Sequence, residues 1–222
     1  MKNDQVVEKE VEIIDDGFRL KGDFAVPIDA QGIVLFAHGS GSSRRSPRNM
    51  EVARMLNRTG LATLLFDLLT HAESLDRDNV FNISLLAKRL KMATAWACQQ
   101  AELRDLPIGY FGASTGAAAA LMAAGERGSK IHAIVSRGGR PDLALSSLEF
   151  VECQTLLIVG SKDYAVLELN QIALPHLKKG ELIVIPGATH LFEEPGTLEK
   201  VSEEAAQWFT RFLRGKLSHK VA

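Results

Sequence analysis

The 222-residue sequence contains only two cysteines, Cys98 and Cys153, which excludes a disulfide framework and a cysteine-rich metal site. We expect both to be buried free thiols. No apolar run approaches the roughly 18 residues of a membrane span, and the N-terminus lacks the apolar segment of a signal peptide. We therefore expect a cytoplasmic protein with no membrane partner. An excess of one charge is also missing, because the formal net charge is −1, and this argues against nucleic acid as a partner.

The distribution of apolar residues predicts alternating strands and helices. An Asp-Gly step at 16–17 lies between two strand-like segments and predicts an N-terminal antiparallel hairpin. Continuous apolar runs then alternate with segments of helical periodicity, an order typical of a mostly parallel sheet with helices on both faces. We predict one α/β domain spanning residues 1–222. The predicted strands cover 6–14, 18–26, 32–37, 61–66, 107–111, 131–135, 155–159 and 181–185; the predicted helices cover 49–58, 83–101, 117–125, 141–148, 166–174 and 198–212.

A serine flanked by glycines, Gly-Ala-Ser-Thr-Gly at 112–116, follows one of these strands and precedes an alanine-rich helix. Side chains at 112 or 116 would collide with the neighbouring strand or helix, so glycine lets Ser114 project from a strained turn. The helix N-terminus beneath it favours developing negative charge. This context predicts a nucleophile, whereas the alternative is a Gly/Ser loop that precedes a core helix.

Further reactive side chains follow other predicted strands, and the carboxyl ends of parallel strands share one edge of the sheet. Asp163 and His190 come after two of the later strands. A histidine there can accept the serine proton, and a carboxylate can hold the imidazole in one tautomer. We therefore predict a catalytic set of Ser114, Asp163 and His190, with Asp67 as the next candidate for the acid.

The attacked carbonyl oxygen becomes negatively charged and needs hydrogen-bond donors. The backbone N–H of Thr115 directly follows the nucleophile, and the N–H of Ser40 lies in a Gly/Ser-rich loop after the strand at 32–37. We predict these two groups as the oxyanion hole. His38, in the same loop, is expected to fix the loop by hydrogen bonds rather than to act as a base.

Several basic residues lie in loops near the predicted site. Arg44 and Arg45 follow the Gly/Ser-rich loop, Arg137 follows the strand after the nucleophile, and His71 follows the strand at 61–66. Arginines can bind a carboxylate or phosphate of the substrate, so we name the three arginines as candidate substrate contacts for an anionic ester. His71 is the fourth candidate because its loop can reach the pocket; a plain loop residue is the alternative. A solvated charged face is the alternative meaning of the arginine run.

Four motifs together resemble the α/β-hydrolase family, and within it the compact dienelactone-hydrolase-like group. They are His-Gly-Ser-Gly at 38–41, the serine motif at 112–116, Gly-Ser-Lys-Asp at 160–163 and Gly-Ala-Thr-His at 187–190. The resemblance implies the triad of Ser114, Asp163 and His190, with no metal or organic cofactor. Dienelactone hydrolases proper carry a cysteine where this chain has Ser114, so a serine carboxylesterase of that shape is expected.

Relatives often insert a lid in the stretch that here spans 136–153, and its 18 residues leave room for one short helix only. We therefore predict a minimal lid, an open pocket and a small-molecule ester, thioester or lactone substrate. Two other functions stay open. An acyltransferase would use the same acyl-enzyme, and a ligand-binding module would keep the fold without useful turnover.

Overall fold

Eight strands form a single sheet in the order β1-β2-β4-β3-β5-β6-β7-β8 in the computed structural model, which describes residues 6–15, 17–103 and 105–213. The strands are β1 (Val6–Asp15), β2 (Phe18–Pro27), β3 (Ile33–Ala37), β4 (Ala62–Phe66), β5 (Ile108–Ala113), β6 (Ile131–Arg137), β7 (Gln154–Gly160) and β8 (Gly180–Ile185). β1 pairs antiparallel with β2, and β2 pairs antiparallel with β4. All other neighbours are parallel.

Most helices lie in the connections between strands, and the last helix follows β8. The helices are α1 (Pro47–Arg58), α2 (His71–Ser74), α3 (Arg77–Phe81), α4 (Ile83–Gln99), α5 (Thr115–Ala124), α6 (Leu145–Leu148), α7 (Tyr164–Ala173) and α8 (Thr197–Phe212). Short 3-10 turns cover Ala101–Leu103, Pro141–Ala144 and Leu174–His176. None of the helices within the described ranges is long and apolar enough to cross a membrane.

Two apolar layers cover the faces of the sheet, as alternation of side chains along each strand requires. Along β3, Leu35 joins the core formed with α4 and α5, whereas Val34 and Phe36 join the core formed with α1 and α8. The five residues of β3 are all buried, which explains why the strand reads as a continuous apolar run. The predicted three-layer α/β fold is confirmed, including the N-terminal hairpin and the strand order along the chain.

Three local predictions need correction. The connection between β4 and α4, for which we predicted no helix, contains α2 and α3. The predicted helix at 141–148 is a 3-10 turn followed by the four-residue α6. Cys98 is exposed, and only Cys153 is buried. Cys98 follows the buried Ala97 on α4, so the 100° rotation per residue carries it off the buried face.

Candidate active site

Ser114 lies at the turn between β5 and α5 with backbone angles of φ 52° and ψ −120°. Positive φ is uncommon for a residue with a side chain and is a form of strain that concentrates at functional sites. The backbone N–H of Ser114 donates to the carbonyl oxygen of Arg137 at 3.2 Å, and its own carbonyl accepts from the N–H of Arg140 at 3.2 Å. These bonds to the end of β6 and to the segment that follows it hold the strained residue in place.

Two glycines make this turn possible by allowing close backbone approach. A Cβ added to Gly112 would lie 2.4 Å from Cα of Ala117, and one added to Gly116 would lie 2.1 Å from the carbonyl oxygen of Ala37. Both distances are far below any real carbon contact, and both partners are backbone atoms that cannot swing away. The turn therefore requires glycine at 112 and 116.

His190 and Asp163 are in direct contact at the same edge of the sheet. Nδ1 of His190 lies 2.7 Å from Oδ2 of Asp163, and the two side chains are 40% and 13% exposed. Asp163 follows β7, and His190 lies in the loop between β8 and α8. Because the carboxylate can only accept, Nδ1 carries the hydrogen and Nε2 remains available as a proton acceptor.

Ser114 and His190 both adjoin the short segment Arg137-Gly138. The backbone of Ser114 bonds to Arg137, and a Cβ placed on Gly138 would lie 3.4 Å from Nδ1 and Cε1 of the His190 ring. The hydrogen bonds within the described residues include none between the Ser114 hydroxyl and His190. The structure thus brings the imidazole, the carboxylate and the serine turn together around one segment.

The loop that follows β3 packs directly on the serine turn. A Cβ on Gly39 would lie 3.1 Å from Cβ of Ser114. The N–H of Ser40, predicted to face the oxyanion, donates to Oγ1 of Thr115 at 2.9 Å. The backbone N–H of Ser40, one predicted oxyanion donor, is therefore bonded to the side chain of Thr115, the residue that supplies the other donor.

His38 anchors this loop to the chain after β4. Its Nε2 accepts from the N–H of Leu68 at 3.1 Å, so Nδ1 carries the hydrogen and donates to the carbonyl of Gly39 at 3.0 Å. Burial lowers the pKa of His38 below its usual value, against the smaller opposing effects of the Gly39 bond and the charge of Asp67. A neutral, fully bonded imidazole fits the predicted structural role.

The Arg44 side chain is enclosed by a carboxylate cluster. It is 9% exposed and lies 3.0–3.1 Å from oxygens of Glu10, Asp23 and Asp67. Asp67 also accepts from the backbone N–H of Arg44 at 2.8 Å. Instead of contacting substrate, Arg44 joins the loop to the first two strands, and Asp67, the alternative acid, is occupied by it.

Arg45 and His71, two of the remaining candidate contacts, occupy different environments. Arg45 is exposed, pairs with Glu10 at 3.1 Å and borders a surface cavity beside β1, β2 and α1. His71 begins α2 and lines a cavity of about 340 Å³ that also includes His38 and Ser40. Of the two, His71 alone shares a cavity with the loop that contacts Ser114.

Helices α2 and α3 form one wall of this cavity, and sequence reasoning missed them. Thr70 caps α2 in a reciprocal arrangement, in which its side chain accepts from the N–H of Glu73 and the Glu73 side chain accepts from the N–H of Thr70. Arg89 on α4 then pairs with Glu73 at 2.6 Å. The Thr-x-x-Glu spacing at 70–73 is a capping signature that could have located α2.

The remaining candidate, Arg137, lies next to the serine turn. It is the last residue of β6, is paired in register with Ala113 of β5 and is 8% exposed. Its carbonyl oxygen accepts the hydrogen bond from the N–H of Ser114. Arg140, three residues further on, is paired with Asp142 through two bonds of 2.8 Å.

No protein-family model matches the chain. Two Mycobacterium tuberculosis proteins, from strains CDC 1551 and H37Rv, are each 54% identical over 209 residues, or 94% of this chain, and are named "Putative phosphoribosyl transferase". The match covers 47% of each of those proteins, so this chain spans about half the length of these curated relatives.

Solved structures give a match over full length. A dienelactone hydrolase from Anabaena variabilis is 52% identical, with a TM-score of 0.91 over 95% of this chain and 100% of that one. The fold is shared with Est1E from Butyrivibrio proteoclasticus, at 17% identity and a TM-score of 0.78 over 91% of this chain and 98% of that one. It is also shared with an esterase from Pyrococcus furiosus, at 20% identity and a TM-score of 0.74 over 96% and 93%. With half of its residues identical to the Anabaena protein over that protein's whole length, the chain belongs to the dienelactone hydrolase family.

Proposed function

We propose that this protein is a serine hydrolase that cleaves small carboxylic esters, thioesters or lactones through an acyl-enzyme on Ser114. The observation that carries the proposal is the 2.7 Å contact between His190 and Asp163 beside the strained serine turn. Membership of the dienelactone hydrolase family supports a hydrolase. The serine mechanism and the bond that is cleaved are our inference from the site.

In the first half-reaction, Oγ of Ser114 bonds to the carbonyl carbon of the substrate while its proton passes to Nε2 of His190. The tetrahedral intermediate then collapses and expels the alcohol, which takes the proton from His190. In the second half-reaction water attacks the acyl-enzyme, gives a proton to His190, and the serine oxygen recovers it on leaving. Asp163 stabilises the imidazolium in both steps.

The missing hydrogen bond between Ser114 and His190 is compatible with this mechanism, because such bonds are often long without substrate and shorten in the complex. The oxyanion would accept from the N–H of Thr115 at the start of α5. The N–H of Ser40 would be shared between the oxyanion and Oγ1 of Thr115 as a three-centre bond. Each such donor contributes on the order of 3 kcal/mol to the transition state.

The surroundings of the site favour a small substrate. The segment between β6 and β7 contains only a 3-10 turn and the four-residue α6, and the neighbouring cavity is about 340 Å³. His190 is 40% exposed, so water can reach the acyl-enzyme. Exposure to water favours hydrolysis over acyl transfer to a second substrate. Separately, we propose a cytoplasmic location.

The transferase name of the curated relatives applies to proteins about twice as long as this chain. The full-length match to a dienelactone hydrolase decides our choice of hydrolase for the part that this chain covers.

An active-site phosphonate tests the nucleophile directly. The wild-type protein should gain one phosphonyl group on Ser114, located by peptide mass spectrometry, and should turn over p-nitrophenyl esters with short acyl chains. Ser114→Ala should lose both properties, whereas Ser40→Ala should keep the label because its backbone N–H is unchanged. Labelling at another residue, or unchanged turnover by Ser114→Ala, would remove the proposal. Adding a competing alcohol or thiol and measuring the products separates hydrolysis from acyl transfer.

A further inference from the structure

Arg137 is a buried cation that has no partner among the described residues. It is 8% exposed, and its Nε and Nη1 atoms are enclosed but make no hydrogen bond within the described part of the chain. The other buried arginines differ, since Arg44 contacts three carboxylates and Arg89 pairs with Glu73. A buried charge is costly unless it is paired, so Arg137 is arranged for a partner that the described residues do not supply.

A second arginine, Arg48, faces the same region. Val135 of β6 packs in the core layer with α1 and α8, and alternation along the strand directs Arg137 to that side. Arg48 lies in the first turn of α1, and its own Nε is also enclosed and makes no hydrogen bond to the residues that the structure describes. Burial first, and then repulsion by Arg48, lower the pKa of Arg137 to about 10.

One exposed carboxylate offsets this positive charge only in part. Nη1 of Arg48 lies 3.1 Å from Oε1 of Glu193, whose side chain is 65% exposed. Water screens such an exposed pair strongly. The Arg48–Glu193 pair also supplies no counter-charge to Arg137, which forms no ion pair within ranges 6–15, 17–103 and 105–213. The two guanidinium groups therefore present an excess of positive charge.

The arginine pair adjoins the proposed catalytic groups. The carbonyl of Arg137 accepts from the N–H of Ser114, and a Cβ placed on the next residue, Gly138, would lie 3.4 Å from the His190 ring. Helix α1, which carries Arg48, follows the loop that packs on Ser114 through Gly39. An anion held by the two arginines would therefore belong to the same molecule as an ester bond at Ser114.

We propose that Arg137 and Arg48 form a phosphate-binding subsite of the active site, so that the substrate is an acyl ester that also carries a phosphate group. Phosphate has a charge of about −1.5 to −2 and three acceptor oxygens, which matches two guanidinium groups. A carboxylate has one charge and would leave one arginine unmatched. The proposal rests on the proposed hydrolase function, and it is tested separately from it below.

Binding is measured first, on a protein that needs no turnover. Inorganic phosphate is titrated by calorimetry into Ser114→Ala and into the same variant carrying Arg137→Met, Arg48→Met or Arg54→Met. Arg54 is exposed on the same helix as Arg48, so Arg54→Met removes an equal charge outside the subsite. We expect Arg137→Met and Arg48→Met to weaken phosphate binding by about tenfold or more, and Arg54→Met to bind like the parent.

Acetate, titrated in the same way, separates the two kinds of anion. Weaker binding of acetate than of phosphate supports the subsite as proposed. Equal or tighter binding of acetate overturns the choice of phosphate. Phosphate binding that is undetectable, or that survives both subsite substitutions, overturns the subsite, whatever the outcome of the phosphonate experiment at Ser114.

Kinetics then link the subsite to the substrate. The acetyl esters of glycerol 3-phosphate and of glycerol differ only in the phosphate group. The wild-type protein should prefer the phosphorylated ester by about tenfold or more in kcat/KM, and this ratio should approach one in Arg137→Met and Arg48→Met. If Arg137→Met does not fold, Arg48→Met tests the same preference for the phosphorylated ester, because Arg48 is partly exposed and its replacement disturbs the core less. A ratio near one in the wild-type protein would contradict the proposal.

Discussion

Nδ1 of His190 and Oδ2 of Asp163 lie 2.7 Å apart, although the residues come from loops after two different strands. Asp67, which also follows a strand, is instead bonded to the backbone and side chain of Arg44. The two aspartates are thus at the same edge of the sheet but have different partners. This difference makes them a matched pair for separating catalysis from stability.

Asp163→Asn should lower kcat by roughly 10⁴-fold with little change in thermal stability, because the amide no longer holds the imidazole in the required tautomer. Asp67→Asn should lower the melting temperature, because Arg44 loses one of its carboxylates while buried. Ester turnover and thermal unfolding of both variants check this. If Asp67→Asn shows the large loss of kcat instead, Asp67 is the catalytic acid.

Gly116→Ala should prevent stable folding or cost about 3 kcal/mol or more of unfolding free energy, because the new Cβ would lie 2.1 Å from a backbone oxygen. Gly128→Ala is a suitable control. Gly128 has a positive φ of 81°, but a Cβ there meets no atom within 4 Å, so only backbone strain of about 1 kcal/mol is expected. Chemical denaturation measures both. Equal losses for the two variants would contradict the steric explanation.

Apolar runs and chain order were enough to predict the sheet and the edge at which the site lies. β3 and β7 are buried along nearly their whole length, and such strands are recognisable because consecutive positions are apolar, as in Ile33–Ala37 of β3 and 156–159 of β7. The serine turn was equally predictable from the sequence, since the requirement for Gly112 and Gly116 is local. Local constraints of this kind leave a direct trace in the sequence.

Side-chain partners were less predictable, because they depend on contacts between distant segments. The arginine run at 44–48 reads as one basic cluster, yet Arg44 faces Glu10 and Asp23 of the hairpin while Arg48 faces Glu193. Neither hairpin carboxylate is near Arg44 in sequence. The short helices α2 and α3 were missed for a different reason, since four or five residues are too few to show helical periodicity.

Acidification should destabilise the protein through His38. The unfolded histidine titrates near pH 6.5, and burial lowers the pKa in the fold. Below pH 6.5 the unfolded state therefore binds more protons, and the free energy of unfolding falls as the pH decreases toward the folded pKa. His38 contributes at most about 1.4 kcal/mol per pH unit to the slope of the free energy of unfolding against pH.

His38→Gln should flatten this dependence below pH 6.5, because glutamine does not titrate and its oxygen can accept from the N–H of Leu68. Carboxylates with lowered pKa, such as Glu73, affect stability only at lower pH. Urea denaturation of both proteins across this range provides the measurement. A slope that is unchanged in His38→Gln would assign the acid sensitivity to another group.

The bond from the N–H of Ser40 to Oγ1 of Thr115 gives the last prediction, since it joins the loop after β3 to the first residue of α5. Thr115→Val keeps the shape of the side chain but removes the acceptor. Without it the Ser40 N–H is no longer held beside Ser114, and we expect kcat to fall by about five- to tenfold with little change in KM.

Thr115→Ser keeps the hydroxyl and lacks only the methyl group, so it should retain most of the wild-type kcat. A rate that depended on the shape of the side chain would instead be kept by Thr115→Val and lost in Thr115→Ser. Steady-state kinetics of the three proteins on one short-chain ester provide the comparison. A Thr115→Val enzyme that is as fast as wild type, or faster, would mean that the threonine hydroxyl competes with the oxyanion for the Ser40 N–H. In that case Thr115 would restrain the reaction instead of positioning a donor for it.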